Sequence, residues 1–372
     1  MKTNLIKNIS LPAFLILISF LLVAGCDAKR PAIGEEHEIL VVADSLEYLQ
    51  LEPILSEVFS KVIYTPQPEE LFNLKRIKLS EYPDKQHRKN IILIAPLNSG
   101  SHVSDYITSI LDSNVLPLVQ SGEEFVFNKY DVWAKDQLLM ILTAPDMETL
   151  KRKISDNRDD LLYYFQKISN KRLYKSLYNA KYERRDIEAK LLKEYGWIIY
   201  VQADFLLAKD VPEDNFVWLR RAAHTDMERW IFVHWIDNAT PELLNADSIA
   251  AIRNRMTTKH YVNMDNTAHV IIADEQAPFN LVVSEVNFNG KYALMTQGFW
   301  RFSDHDGGGP FISYSFYDEN TGRFYMIDGS IFAPKYYKKK LIQQVDVTLQ
   351  SFMTKADMSP EKIKSLMDEL DD

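Results

Sequence analysis
An α+β fold of two modules is what this chain predicts, and three observations predict it. Short apolar runs of strand character recur along it: ILVVA at 39–43, NIILIA at 90–95 and WIFVHWI at 230–236. Longer amphipathic stretches of helical period lie between them. The first half orders these as strand, helix, strand, strand, helix, strand, helix, which matches the split βαβ order with one helix appended. The expected architecture is therefore two ferredoxin-like modules with antiparallel sheets and a helical connector.

Taken in order, residues 1–25 read as a signal peptide. Lys2 and Lys7 make a basic start, and Leu11 to Ala24 is apolar, too short a run for a spanning helix. The run ends at Val23-Ala24-Gly25-Cys26, which resembles a bacterial lipobox. That resemblance implies lipidation of Cys26 and cleavage after Gly25. Cys26 is the one cysteine of the chain, so no disulfide is available, and lipidation accounts for an otherwise odd thiol. Residues 26–38 then form a polar lipidated tether.

The N-terminal module is expected over 39–170. Ile39–Ala43 is a strand, Leu46–Ser60 a helix, Leu71–Leu79 and Asn90–Ala95 strands, and Ser101–Leu111 a helix. Val132–Thr143 reads as one strand, and Pro145-Asp146 opens a helix over Met147–Phe165. Ser169-Asn170 is expected to interrupt it. The connector helix and C-terminal module span 171–355. Lys171–Tyr195 is a charged, tyrosine-rich helix with a stripe of Leu173, Leu177, Ile187, Leu191 and Leu192.

Strands follow at Trp197–Ala203, Phe216–Arg220, Trp230–Ile236, His269–Ala273, Leu281–Val286 and Tyr292–Phe302, with a helix over Pro241–Met256. Alternation of Ile312, Tyr314 and Phe316 with polar neighbours, the turn Asp318-Glu319-Asn320-Thr321-Gly322, and the return over Arg323–Phe332 make a hairpin. Lys335–Phe352 is a helix. Residues 356–372 hold a last helix, opened by Ser359-Pro360, and an acidic tail. Matching landmarks in the two halves, such as Ala43-Asp44 with Ala203-Asp204 and Ala144-Pro145 with Ala333-Pro334, predict an internal duplication.

Composition narrows the function. The formal charge is −9, and loss of the two lysines of the leader makes it −11, a balance that argues against nucleic acid as a partner. Familiar catalytic and phosphate-binding motifs are missing, and neither a cofactor nor a metal is expected. Three constellations remain. Ser303-Asp304-His305-Asp306-Gly307-Gly308-Gly309 offers a histidine between two acids and a glycine run suited to an anion nest. His224, Asp226 and Glu228 are of metal-ligand type. Trp218, Arg220, Arg221, Trp230, Trp235, Trp300 and Arg301 are residues of recognition surfaces, and equally of a core. The candidate binding residues are Trp218, Arg220, Trp300, Arg301, His305, Asp306 and Gly308.

The stretch 298–334 (GFWRFSDHDGGGPFISYSFYDENTGRFYMIDGSIFAP), with EILVVAD at 38–44 and DVWAKDQLLMILTAP at 131–145, resembles uncharacterised envelope lipoproteins of Bacteroidota, a domain-of-unknown-function family. The resemblance implies the cell envelope as compartment and assigns no activity. The expected function is a non-catalytic, lipid-anchored binding or scaffold protein, held to a membrane and meeting an envelope partner. The alternatives are an envelope hydrolase or metal-dependent enzyme using the 304–309 loop, and a small-ligand-binding lipoprotein.

Overall fold
The computed structural model describes residues 29–65, 67–222, 225–263, 265–273 and 280–370. The expected signal peptide and the lipidation site expected at Cys26 lie outside the described residues. The chain forms two compact units. One takes the chain up to Leu55 together with Leu74–Arg158; the other takes Ser56–Asn73 and Asp159–Asp372. The sequence drew the line at 170 and did not detach 56–73 from the first module.

The first seven strands are β1 (Glu38–Val42), β2 (Val62–Tyr64), β3 (Pro68–Glu70), β4 (Asn73–Ile77), β5 (Asn90–Ile94), β6 (Val126–Tyr130) and β7 (Leu138–Leu142). The first unit is built on a sheet of order β4-β1-β5-β7-β6. Here the ferredoxin-like expectation is corrected. β1 runs parallel to β5 (Leu40 opposite Ile91) and β5 parallel to β7 (Ile92 opposite Met140); β6 pairs with β7 antiparallel. The reason is in the side chains. β5 and β7 are apolar at almost every position and buried throughout, as strands covered on both faces must be. The helix His102–Ile110, capped by Ser101 through the Ser104 N–H at 3.2 Å, lays Val103 and Ile107 on Leu40, Val42, Ile91 and Leu93.

Three boundaries differ from expectation for local reasons. The single strand over 132–143 is a turn followed by β7, because Asp131 and Asp136 take positive φ (54° and 61°) and reverse the chain. The helix opened by Asp146 ends at Asp156. Asn157 leaves helical geometry (φ −116°, ψ 23°), and its amide donates to the Lys153 carbonyl. The next helix, Arg158–Leu177, passes straight through Ser169-Asn170. Ser169 is buried there and accepts from the Gln343 amide at 3.1 Å. The connector read over 171–195 is thus two helices, the second being Arg185–Tyr195, closed by Gly196 at φ 78°.

The remaining strands are β8 (Trp197–Ile198), β9 (Phe205–Val211), β10 (Phe216–Arg221), β11 (Glu228–Ile236), β12 (Val270–Ile272), β13 (Val282–Phe288), β14 (Lys291–Phe302), β15 (Gly308–Asp318), β16 (Arg323–Phe332) and β17 (Met353–Thr354). The second unit centres on an eight-stranded sheet, β12-β14-β15-β16-β11-β10-β9 with β13 added on β14, its neighbours paired antiparallel. This sheet and the parallel-centred sheet of the first unit have different topologies, so the strand order does not repeat as a duplication would require.

Both faces of the second sheet are covered. Val217, Ile231, Val233, Ile312, Phe316 and Ile327 pack under Leu341, Val345 and Leu349 of the helix Lys339–Leu349 and under Ile187 and Leu191. The other face sets Trp218, Trp230, Phe232, Phe311 and Met326 under Ile249, Ile252 and Met256 of the helix Ala246–His260. That helix starts later than the Pro241 read for it, since Asn245 caps it by accepting from the Ser248 N–H at 2.9 Å.

The Lys339–Leu349 helix has no capping side chain of its own. Glu69, on the β2–β3 hairpin, supplies one from far along the chain, accepting from the N–H groups of Lys338 and Lys339 at 2.8 and 3.0 Å. This contact gives the hairpin a chemical reason to join the second unit.

Candidate functional site
The tryptophans that suit a recognition surface are core. Trp300 is 1% exposed and Trp218 and Trp230 are buried, their rings in one set: Trp218 to Trp230 at 6.0 Å edge to face, Trp230 to Trp300 at 4.8 Å. Arg220 lies 5.0 Å over Trp218 and pairs with Glu228 at 2.6 Å, and Glu228 also accepts from the Trp230 indole N–H at 2.7 Å. Arg301 donates to the Phe302 carbonyl at 3.3 Å. Trp235 faces the opposite side of the sheet. The alternation of β10 and β11 placed these groups on faces, and the helix over one face buried them.

The 303–309 loop joins β14 to β15. His305 is exposed with φ 66°, and the Asp306 N–H donates to Asp304 at 3.1 Å. Gly308 and Gly309 are strand residues, not a nest. A Cβ on Gly308 would stand 2.5 Å from the Trp300 carbonyl oxygen, and one on Gly309 1.9 Å from that of Ile331. These glycines answer a close backbone approach. Strand register brings this loop and the 222–227 turn to the same rim of the sheet, since Gly308 is opposite Arg301 and Glu228 opposite Phe332. His224 lies outside the described residues. Asp226 pairs with Lys335 at 2.5 Å and Glu228 with Arg220, so both carboxylates have cationic partners. Among the described residues no cluster of three or more His, Cys, Asp or Glu side chains is arranged to hold a metal ion.

A different place in the second unit has the form of a site. A cavity of about 520 Å³ is walled by Tyr174, Tyr178, Tyr200, Glu183, Glu188 and Lys362, with Asn289, Ser351, Met353 and Asp357 completing it. Tyr174 and Tyr178 are one helical turn apart and stack at 3.9 Å; Tyr178 meets Tyr200 at 4.3 Å. The Tyr178 hydroxyl donates to the Val347 carbonyl and that of Tyr200 to the Leu177 carbonyl, each at 2.8 Å. Asp357 accepts from the Thr354 N–H at 2.9 Å and pairs with Lys291 at 2.8 Å, which holds its carboxyl below the usual range despite partial burial.

Glu188 is the unusual group. It is 1% exposed and accepts the Val201 N–H at 2.9 Å. Burial pushes its carboxyl up to about 8; the charge of Glu183 and a hydrogen bond between the two carboxyls add to this, while the Val201 N–H and Lys362 act in the opposite direction. The sequence carried a signal for this residue: Glu188 stands three and four places before Leu191 and Leu192, on the apolar stripe of a helix otherwise charged outward. The reading of that helix as a connector passed over it.

A pH dependence follows. The folded state holds the Glu188 proton up to about pH 8, whereas an unfolded glutamate releases it near 4.3. The folded chain therefore binds more protons between these values, and the stability so conferred is present at low pH and lost as pH rises through that window. Glu188→Gln mimics the protonated form. The melting temperature of the wild type relative to Glu188→Gln should fall by several degrees between pH 5 and 8.5 in paired thermal melts, and a pH-independent difference would refute the assignment.

Comparison with known proteins gives family matches without an activity. Residues 184–351 match the family model described as domain of unknown function DUF4837, and residues 32–178 match that of domain of unknown function DUF8532. No curated protein matches the chain. Among solved structures, the human StarD13 (DLC2) lipid transfer and protein localization domain is similar at 12% identity over 42% of this chain and 89% of that one, with a TM-score of 0.19. A score that low carries no argument. The chain is thus similar over most of its length to two successive domain families of unknown function, DUF8532 followed by DUF4837.

Proposed function
We propose that this chain is a lipid-anchored protein of the bacterial cell envelope that binds a small ligand in the cavity beside Tyr178 and Glu188 and does not transform it. The cavity carries the binding reading. Its volume falls within the range of small-molecule sites, and its walls combine aromatic surface with carboxyl, amide and ammonium groups. Asp226 and Glu228, the carboxylates of metal-ligand type, are engaged by Lys335 and Arg220.

The anchoring reading rests on residues 1–26, a basic start and apolar run ending at Val23-Ala24-Gly25-Cys26. Two or more acyl chains on Cys26 would hold the protein stably where one would not. Arg30, Ala32 and Ile33 already hydrogen-bond to Lys135 and His87 of the first unit, so the tether is shorter than the expected 26–38 and allows at most about 15 Å between Cys26 and the fold. No described helix is long and apolar enough to cross a membrane.

Two measurements test the reading. Labelled palmitate and membrane fractionation in a Gram-negative host should find the wild type labelled and membrane-bound and Cys26→Ala neither. An unlabelled, soluble wild type would overturn the anchor. A melting-temperature screen of small ionic and neutral compounds should find at least one that stabilises the wild type but not Ala180→Trp, which introduces an indole at an exposed position of the cavity wall. Failure of every class of compound would overturn the binding reading.

A further inference from the structure
We propose that the cavity selects a small organic cation, an alkylammonium whose head sits on the Glu183–Glu188 carboxyl pair and whose body lies along the Tyr174–Tyr178–Tyr200 stack. This rests on the reading of the cavity as a binding site and names the class of ligand.

The carboxyl pair is the first ground. Glu188 has one N–H donor, from Val201. Its other partner is Glu183, a second acid, which has a proton to share only when one of the two is neutral. The wall's third acid, Asp357, already has Lys291 and Thr354. Lys362, the wall's own cation, directs its ammonium at the Met353 sulfur, 3.7 Å away. A buried carboxyl with a single N–H donor, beside a second acid on the same wall, is a place where an incoming ammonium supplies further donors and countercharge.

The aromatic stack is the second ground, and it is independent of the first. With the hydroxyls of Tyr178 and Tyr200 turned to backbone carbonyls and the Tyr178 ring sandwiched between the other two, the stack offers a ligand the outer faces of Tyr174 and Tyr200. The face of an aromatic ring carries negative quadrupole charge and attracts cations. Tyr174, at the outer end of the stack, is 51% exposed, so the platform reaches solvent at the cavity mouth. Acids and ring faces lining one cavity discriminate against anions and favour an ammonium over an uncharged polyol.

Binding exchanges one cation for another. The ammonium takes the place of the proton on Glu188, and the proton leaves to solvent, so affinity should rise with pH through the range in which Glu188 titrates. The groups that face this carboxyl are Glu183, Lys362, Tyr178, Tyr200 and, across the wall, Asp357 with Lys291.

The experiment is calorimetric titration of the full chain in detergent with putrescine, agmatine and choline as cations, glucose as a neutral probe and glutamate as an anion, at pH 6 and pH 8.5. At least one cation should bind, more tightly at pH 8.5, with glucose and glutamate silent. Glu188→Gln should weaken that binding about tenfold or more and abolish its pH dependence. Tyr174→Ala alters an exposed side chain, leaves the fold intact by circular dichroism, and should weaken binding several-fold. Binding of glucose or glutamate in place of the cations, or cation binding unchanged in Glu188→Gln, would overturn the ligand class while leaving a binding cavity. Silence from every probe, together with an empty stability screen, would remove the cavity reading itself.

Discussion

Asp328→Ala is expected to destabilise the second unit by about 3–5 kcal/mol, because it leaves a guanidinium buried without its counter-charge. Asp328 and Arg253 are both fully buried. Arg253 rises from the middle of the Ala246–His260 helix and donates from Nε to Asp328 at 2.7 Å and from Nη2 to Ser330 at 3.1 Å, while Ser330 donates to Asp328 at 3.0 Å. The guanidinium lies 3.5 Å over the Phe311 ring. Burial pushes the Asp328 carboxyl up and Arg253 draws it back, so the pair stands as a unit.

The pair is also the polar fastening between helix and sheet. Thr296, Ser313 and Asp328 form one row across β14, β15 and β16 on the face the helix covers. The variant should melt about 10 °C below the wild type. A double variant, Asp328→Leu with Arg253→Leu, removes both charges and should recover most of the loss, as replacement of buried ion pairs by apolar side chains commonly does. If Asp328→Ala melts within about 2 °C of the wild type, the carboxyl does not hold the guanidinium in the way described.

Gly309→Ala is expected to cost about 3 kcal/mol, an overpacking penalty at the high end of its range because the obstacle is backbone. A Cβ there would stand 1.9 Å from the Ile331 carbonyl oxygen, a separation no real pair of atoms adopts. The same oxygen accepts the Trp300 indole N–H at 3.2 Å, and Trp300 is the register partner of Gly309. The indole therefore reaches across the bare backbone of β15 to β16, and the glycine is what leaves room for it. Alanine must part the strands or break the indole bond. Gly290→Asn, at a turn with φ 87° and open space around its α-carbon, meets backbone strain without crowding, should cost about 1 kcal/mol, and serves as the control. Denaturant melts of the two variants would separate crowding from backbone strain; equal small losses would show that β15 can shift to admit the methyl group.

These two residues mark where sequence reading succeeded and where it stopped. The glycines at 307–309 stood out in the sequence, but composition could not say whether they served a ligand or a close approach of strands. The distance from Gly309 to Ile331 decides, and these residues are 22 positions apart in the chain. Trp218, Trp230 and Trp300 were likewise visible and ambiguous, because period-two alternation assigns a side chain to a face without saying whether a helix covers that face.

What the sequence determined by itself was local. The α+β class, the β15–β16 hairpin and the caps at Ser101, Asp146 and Ser359 all follow from residues within a few positions of each other. Tertiary structure alone decided the rest. Apolarity on both faces could not tell a parallel β1-β5-β7 centre from an antiparallel sheet, since burial erases the alternation that distinguishes them. Nor could any local pattern bring Glu69 to the start of the Lys339–Leu349 helix, Arg253 to Asp328, or Tyr174, Glu188 and Ser351 to one cavity. Those contacts join residues far apart in sequence, and their energies exist only after the chain has closed the loops between them.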